Sequence, residues 1–533
     1  MEVHFVLILI RKDVAVTTSQ TDARAVREPV EWVALGVALA LSVGVTSILM
    51  STTKSSLLLY DGDSQLPLLW RASIWAAQPQ AWVLSSPLFV IEIVLYGPAA
   101  LLPLPNATSM ALFSIISWFA FYLSARALTA AAGLRAAGGA ISALAIVAVL
   151  AFEASLEQSP DRNSLEPASL LSTTTYYSGS IIATLVLLAI VARMVRSSHE
   201  LKPLFMAAAV SVSTVASMSN PLFVAWTIAP LALVLLVLGV AGINRTVALI
   251  SLATIVCGAV VGMLARIPYS SILVQDNLAK VRPDWASQSL QYYGGLLGRR
   301  LSEPGGLLEA VVVLLGFTFA AVVLVISVQR RHAAAVAVAG FAVVSPILVA
   351  LASIIAGTFA TRYLQPIAFF PPLAACAAFA ILRPRQRFPT IVRNRSRTRA
   401  VTAAALIAVV VAASSSTAAL AKTITTPDPS MTCAVQWINQ RGVPGAGQYW
   451  SVRAVKAAIS DPRNLIQTDE NLRGYSWLIN ANDFRIKQVY FTIADAQSPP
   501  FQLNRRPTSV IRCGQYTIDD YGSVPLNLEA AHH

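Results

Sequence analysis

VEWVALGVALALSVGVTSILM, Val30–Met50, holds a single charged residue in 21. As a helix rising about 1.5 Å per residue, that run reaches across about 30 Å of hydrocarbon. It is the first of a series. Apolar stretches recur at roughly 109–127, 138–153, 176–194, 203–219, 221–241, 246–266, 307–328, 333–356, 364–382 and 400–421, which together with the first predict about eleven transmembrane helices. The whole chain of 533 residues is 56% hydrophobic and 12% charged. A soluble protein carries about 25% charged residues. The fold class is therefore a polytopic α-helical membrane protein.

The net charge of +13 is distributed as membrane topology requires. Arginines cluster in short segments between apolar runs: Arg24 and Arg27, Arg126 and Arg135, Arg193 and Arg196 with Lys202, Arg245, Arg330 and Arg331. RPRQRFPTIVRNRSRTR, Arg383–Arg399, has seven arginines and no acid. The alternate loops carry the acids Glu153, Glu157, Asp161 and Glu166, then Asp276, Asp284 and Glu303. The positive-inside rule puts the basic segments in the cytoplasm, with the N-terminus inside and the C-terminus outside the cell membrane. No basic patch with interleaved aromatics accompanies the charge, which argues against a nucleic-acid partner. VHFVLILI, Val3–Ile10, is too short to span and reads as part of a cytoplasmic tail.

Three zones follow: a tail over 1–29, a membrane domain over 30–422, and an extracytoplasmic domain over 423–533. Within the second, 51–108 forms a long first outer loop. Its tryptophans (Trp70, Trp75, Trp82) and prolines (Pro87, Pro98, Pro103, Pro105) predict helices at the interface, about Gln65–Ala76 and Pro87–Leu102. The C-terminal zone changes to a polar, aromatic composition. Val452–Ser460 reads as a short helix, and Gln488–Ala494 and Thr508–Ile518 as strands, giving a small mixed α/β or β-rich domain. Cys433 and Cys513 lie in this outer zone and form the natural disulfide pair, whereas Cys257 and Cys376 sit in apolar runs as small hydrophobes.

Candidate chemistry begins just past the first span, in LLLYDGDSQLPLLW, Leu57–Trp70. Asp61-Gly62-Asp63 reads as a turn that starts the next helix, or as functional acids. As functional acids, the aspartates serve as a general base or clamp a divalent cation such as Mg or Mn through hard oxygen ligands. GTFATRYLQPIAFFPP, Gly357–Pro372, places Arg362-Tyr363 at the outer end of a span, before Pro366. That arginine reads as a snorkelling side chain or as a bidentate grip on phosphate. The outer loop Ile267–Gly306 carries Tyr269, Lys280, Arg282, Trp285, Tyr292 and Tyr293, which form an interface belt or meet a sugar and a phosphate. Glu92 is an acid inside an apolar segment. No GxxxxGK[ST], GxSxG, CxxC or strand-borne GxGxxG pattern occurs, which disfavours nucleotide-driven transport, a serine hydrolase, a zinc site and a nucleotide-sugar enzyme.

The arrangement resembles the GT-C superfamily of membrane glycosyltransferases. The likeness rests on many spans, a first outer loop with interface helices and an acid pair at Asp61 and Asp63, Arg362-Tyr363 with Pro366 opening a late span, and a soluble outer domain. That family more often has adjacent acids in this loop; here Gly62 separates them. The resemblance implies transfer of a sugar from a polyprenyl-phosphate donor to an envelope glycan, glycolipid or protein at the outer face, with inversion. Asp61 or Asp63 would be the base, and Arg362, Tyr363, Lys280 and Arg282 would meet the donor phosphate. Glu92, Tyr269, Trp285, Tyr292 and Tyr293 would then line the substrate. The residues alone leave two other readings open: a carrier or flippase for an envelope lipid or polymer, and a non-enzymatic scaffold with an outer binding domain.

Overall fold

The computed structural model describes residues 21–134, 136–196, 202–274, 281–381, 414–496 and 498–532. Val3–Ile10, Lys280, Arg383–Arg399 and most of the apolar run at 400–421 lie outside them.

Eight helices among the described residues are long and apolar enough to cross a membrane. The bundle opens with α1 (Thr21–Ser51). A short helix in the following loop, α2 (Leu66–Trp75), and α3 (Val90–Ala100) fall within the two segments where helices are expected. Then come α4 (Asn106–Ala131), α5 (Ala136–Leu156) and α6 (Ser178–Arg196). Two shorter apolar helices follow, α7 (Pro203–Ser219) and α8 (Val224–Val240). They occupy the expected spans at 203–219 and 221–241, but at 17 residues each covers only about 25 Å. Asn220, extended at φ −148°, and Pro221 break the chain between them, and α8 opens in a π turn ahead of Pro230. The bundle continues through α9 (Arg245–Leu264), the amphipathic α10 (Ala286–Ser302), α11 (Pro304–Gln329) and α12 (Ala333–Ile355). The last of the eight long helices among the described residues is α13 (Thr361–Ile381), whose first turns are 3-10 helix interrupted by Pro366 and Pro371.

Two observations explain why these runs assemble as they do. α11 is the least buried of the long helices, and Leu314 (66%) and Leu315 (63%) stand exposed on it. An apolar face of that kind is stable only against a non-aqueous surround. α7 and α9 instead approach backbone to backbone. A Cβ on Gly262 would fall 2.3 Å from the Thr214 carbonyl oxygen, and one on Gly258 would fall 2.7 Å from that of Val210. The Gly258-x-x-x-Gly262 spacing puts both glycines on one helix face, the small-residue packing by which apolar helices associate closely.

The C-terminal region is built on a mixed seven-stranded sheet. One strand pair joins it to the first outer loop: β1 (Trp82–Val83) belongs to that loop. The outer strands are β2 (Gly445–Gln448), β3 (Leu465–Thr468), β4 (Arg473–Tyr475), β5 (Ile479–Asn480), β6 (Gln488–Val489), β7 (Phe491–Asp495), β8 (Ser509–Cys513), β9 (Tyr516–Asp520), β10 (Leu526–Asn527) and β11 (Glu529–His532). The main sheet runs β11-β4-β3-β2-β7-β9-β8, with β2 parallel to both its neighbours. Helices α14 (Pro429–Arg441) and α15 (Tyr449–Lys456) complete the region. The stretch expected as one strand over Thr508–Ile518 is a hairpin, β8–β9, because Gly514 adopts φ +60° and turns the chain between Cys513 and Tyr516.

Cys433 on α14 and Cys513 on β8 form a disulfide across 80 residues of sequence. On the chain-entropy account a closure of that length contributes about 4 kcal/mol. Replacing both cysteines by serine in the full-length protein is expected to lower the denaturant midpoint of the outer region correspondingly. An unchanged midpoint would show that the closure contributes little.

The C-terminal region is seated on the bundle. β1 and β5 pair antiparallel, Trp82 opposite Asn480. The Ala481 amide donates to the Ala81 carbonyl (2.7 Å), Asn480 Nδ2 to Pro79 (2.8 Å), and Asn106 Nδ2 at the start of α4 to Ala457 (2.9 Å).

Candidate functional site

Asp61 lies in the segment between α1 and α2. Its side chain is 5% exposed. The Tyr176 hydroxyl donates to both carboxylate oxygens, at 2.6 and 2.9 Å, and Arg162 Nη1 stands 3.6 Å from Oδ2. Burial first, and the neighbouring Asp63 second, push its pKa up to about 7 against the opposing pull of Arg162, Tyr176 and Arg362. A carboxyl poised near neutrality can take up a proton and release it again.

Asp63 interacts with the same cations, and its carboxylate has a further partner in the C-terminal region. Its Oδ1 accepts a short hydrogen bond from the Tyr449 hydroxyl, the first residue of α15. Gly62 between them is where the outer region comes closest: a Cβ there would lie 2.7 Å from Tyr449 Cε1 and 2.9 Å from Trp450 Cε3. The glycine of the Asp-Gly-Asp triplet is thus required by contact. Arg453, one turn further along α15, is fully buried. Its Nε donates to the Gly62 carbonyl (2.6 Å), and its Nη1 to Gln467 Oε1 (3.0 Å) and the Leu478 carbonyl (2.7 Å).

The acid-bearing loop between α5 and α6 supplies Arg162 and Tyr176. A buried ionic network holds that loop. Lys54 pairs with Glu166 at 2.6 Å, Arg300 of α10 reaches Glu166 (2.9 Å) and Glu309 (2.8 Å), and Glu157 accepts the Ala168 and Ser169 amides, each at 2.7 Å. Arg162 also lies over the Trp450 ring, 3.6 Å from its centroid, so one guanidinium joins the acidic loop, Asp61 and the outer region. Tyr177, in the left-handed region at φ +69°, starts α6. Such a backbone is costly for an aromatic residue and is typical of functional sites.

Arg362 reaches the same place from α13. Its Nε donates to the Tyr177 hydroxyl (3.4 Å), and it lies 5.9 Å from the Tyr176 ring and 5.5 Å from that of Tyr363. Gln365 donates to the Tyr176 carbonyl (2.8 Å), and Thr361 Oγ1 to the Arg162 carbonyl (3.3 Å). Asp61, Asp63, Arg362 and Tyr363 therefore converge, although 300 residues separate the two pairs in sequence.

The remaining candidates are placed elsewhere. Arg282 stacks on Trp285 (4.2 Å), and Trp285 and Tyr292 pack on Phe359, supporting the turn that leads to Arg362. The Tyr293 hydroxyl bonds Thr358 Oγ1 at 2.8 Å in the same turn. Tyr269 stands 44% exposed on the 3-10 turn Ile267–Ile272. Glu92 is buried on α3, where its Oε1 accepts the Gly179 amide (3.0 Å) in the first turn of α6, a position that a helix dipole favours for a carboxylate. No group of three or more His, Cys, Asp or Glu gathers among the described residues. The aspartate pair faces two tyrosine hydroxyls and the cations Arg162 and Arg362. That donor set does not fit a resident divalent cation.

No protein-family model matches the chain, and no curated protein matches it in sequence. The residues are thus read on their geometry. Those that sequence reasoning missed are Arg162, Tyr176, Tyr177, Tyr449, Trp450 and Arg453. The Thr-rich run ending in Tyr176-Tyr177 at a helix start was a local signal for two of them. Arg453 had none, since nothing in the sequence of α15 marks its two cations, Arg453 and Lys456, as buried.

Proposed function

We propose that the chain is a GT-C-type membrane glycosyltransferase that moves a sugar from a polyprenyl-phosphate donor to an acceptor hydroxyl. The observation that carries this reading is the buried Asp61 carboxyl beside two guanidiniums, at the junction of bundle and outer region. Asp61 accepts the acceptor's hydroxyl proton. The freed oxygen bonds to the anomeric carbon from the face opposite the phosphate. The bond from that carbon to the phosphate oxygen breaks, and its electron pair leaves on the phosphate, so the centre inverts. Arg362 and Arg162 supply the positive charge that the departing phosphate needs. Tyr176 holds the base in orientation through its hydroxyl. The acceptor belongs to the cell envelope, because the basic loops are read as cytoplasmic and the site as outer.

The test is release of free lipid phosphate from a panel of polyprenyl-phosphate sugars by the protein in nanodiscs with an envelope extract. Wild type is expected to release it, and Arg362→Gln to lose about 10²-fold in kcat/KM, the scale of one transition-state donor. Arg362→Lys restores only part, because a point charge does not reproduce the planar fork. No release with any donor, or equal release by wild type and Arg362→Gln, removes this reading.

A further inference from the structure

At the end of the bundle away from Asp61, three helix junctions surround a cavity of about 340 Å³. It is lined by the end of α6 (Val195, Arg196), the α8–α9 turn and the α11–α12 turn, with no acid among its described lining residues. Polar side chains tie the three corners together. Asn244 Nδ2 donates to the Val195 carbonyl (2.8 Å), and Arg331 Nη2 to the Ala241 carbonyl (3.4 Å). A guanidinium carries five N–H donors, and the Ala241 carbonyl takes one of those of Arg331. His332 caps α12: its Nδ1 accepts the Ala335 amide (3.2 Å), which leaves the proton of the neutral ring on Nε2 as a donor. Ala333 and Ala334, in the first turn of α12, also line the cavity, and no intrahelical carbonyl can receive their amides.

The choice of residue at 331 adds an independent argument. α11 ends in a Schellman turn: the Arg331 amide donates to Val328 and the His332 amide to Ser327, with Arg331 at φ +51°. The neighbouring α8 ends in the same turn, with Gly242 at φ +68° in the equivalent place. Glycine is the favoured residue there, and a side chain adds strain. At the cavity the chain accepts that strain and gains a guanidinium.

We infer that this cavity binds a phosphate group, that of an anionic lipid headgroup at the membrane surface, through Arg331, Arg196, His332 and the first amides of α12. A basic recess between helix ends at headgroup level suits such a ligand in charge and position. The inference is independent of the glycosyl-transfer reading.

The experiment uses the full chain in detergent. Bound dioleoylphosphatidylglycerol and dioleoylphosphatidylcholine are counted by native mass spectrometry, and inorganic phosphate is titrated while thermal unfolding is followed. Wild type is expected to retain phosphatidylglycerol about 10-fold more tightly than phosphatidylcholine, one lost charge-assisted contact being worth about that factor. Arg331→Gly removes the preference while unfolding, without lipid, at the same or a higher temperature, because glycine relieves the turn. Arg196→Gln, which leaves the turn unchanged, weakens the preference too. If the unfolding temperature of wild type but not of Arg331→Gly rises with inorganic phosphate, and lipid retention is the same in both, the phosphate site stands and its ligand is soluble. Equal lipid retention with no differential phosphate response overturns the inference.

Discussion

If Asp61 is the base proposed above, Asp61→Asn is expected to lower donor turnover by about 10³-fold or more, the scale of removing a general base. The substitution keeps the shape of the side chain and an oxygen that can accept from Tyr176, so folding survives. The pH profile gives the sharper reading. On the proposed reading Asp61 serves as a base only when ionised, and its pKa is pushed up to about 7. Wild-type kcat/KM therefore rises with pH through about 7 and levels off above it. That limb disappears in Asp61→Asn. Stability runs the opposite way. A carboxyl whose folded pKa is raised binds its proton more tightly folded than unfolded. Its contribution is complete below the ordinary carboxylate range and is lost as pH rises towards 7 and through it. The wild-type unfolding temperature falls over that window, and Asp61→Asn flattens the fall. Unimpaired turnover in Asp61→Asn, measured as lipid phosphate release, would remove Asp61 from the chemistry. A wild-type profile flat from pH 5 to 8 would remove the raised pKa.

Arg453→Met has a large expected effect on stability. The buried guanidinium donates to the Gly62 carbonyl, Gln467 Oε1 and the Leu478 carbonyl, and lies 4.9 Å from the Tyr449 ring. Methionine fills much of the volume but leaves three buried acceptors without their donor. Charge-assisted bonds of this kind contribute about 1.5–3 kcal/mol each and do not add fully, so a loss of about 3–5 kcal/mol is expected. It would be read as a lower denaturant midpoint for the full chain. On the proposed reading turnover falls with it even under conditions where the variant remains folded, because Gly62 loses its anchor on α15. The Tyr449→Phe variant separates the two effects: it removes the hydroxyl from Asp63 and leaves Arg453 in place. A stable Arg453→Met protein with normal turnover would mean that the outer region is only attached to the site and does not form part of it.

Much of the architecture was legible because apolarity is a local property. Eight of the expected spans are helices of crossing length, and helices α2 and α3 fall within the two segments predicted to be helical between the first two spans. The two spans that came out short, at 203–219 and 221–241, were cut by Asn220-Pro221, where the chain turns extended. The disulfide was legible from two cysteines in one polar zone. Thr508–Ile518 misled because alternation runs through the hairpin, and only the positive φ of Gly514 marks its turn.

The candidate site divides along the same line. Asp61, Asp63, Arg362 and Tyr363 stood out in the sequence because charges at span ends are few and their cost in lipid is high. Their convergence was not in the sequence, nor was Glu92's service to the first turn of α6. Sequence by itself determined which segments leave water and which polar residues stay at their ends, since transfer free energy depends on composition over a short window. Tertiary structure alone decided which of those ends meet. It brought Arg162 and Tyr176 to Asp61, and Tyr449 and Arg453 across nearly 400 residues to Gly62 and Asp63. Pairing of buried polar groups is set by geometry across the whole fold, because each must find a partner wherever packing places one.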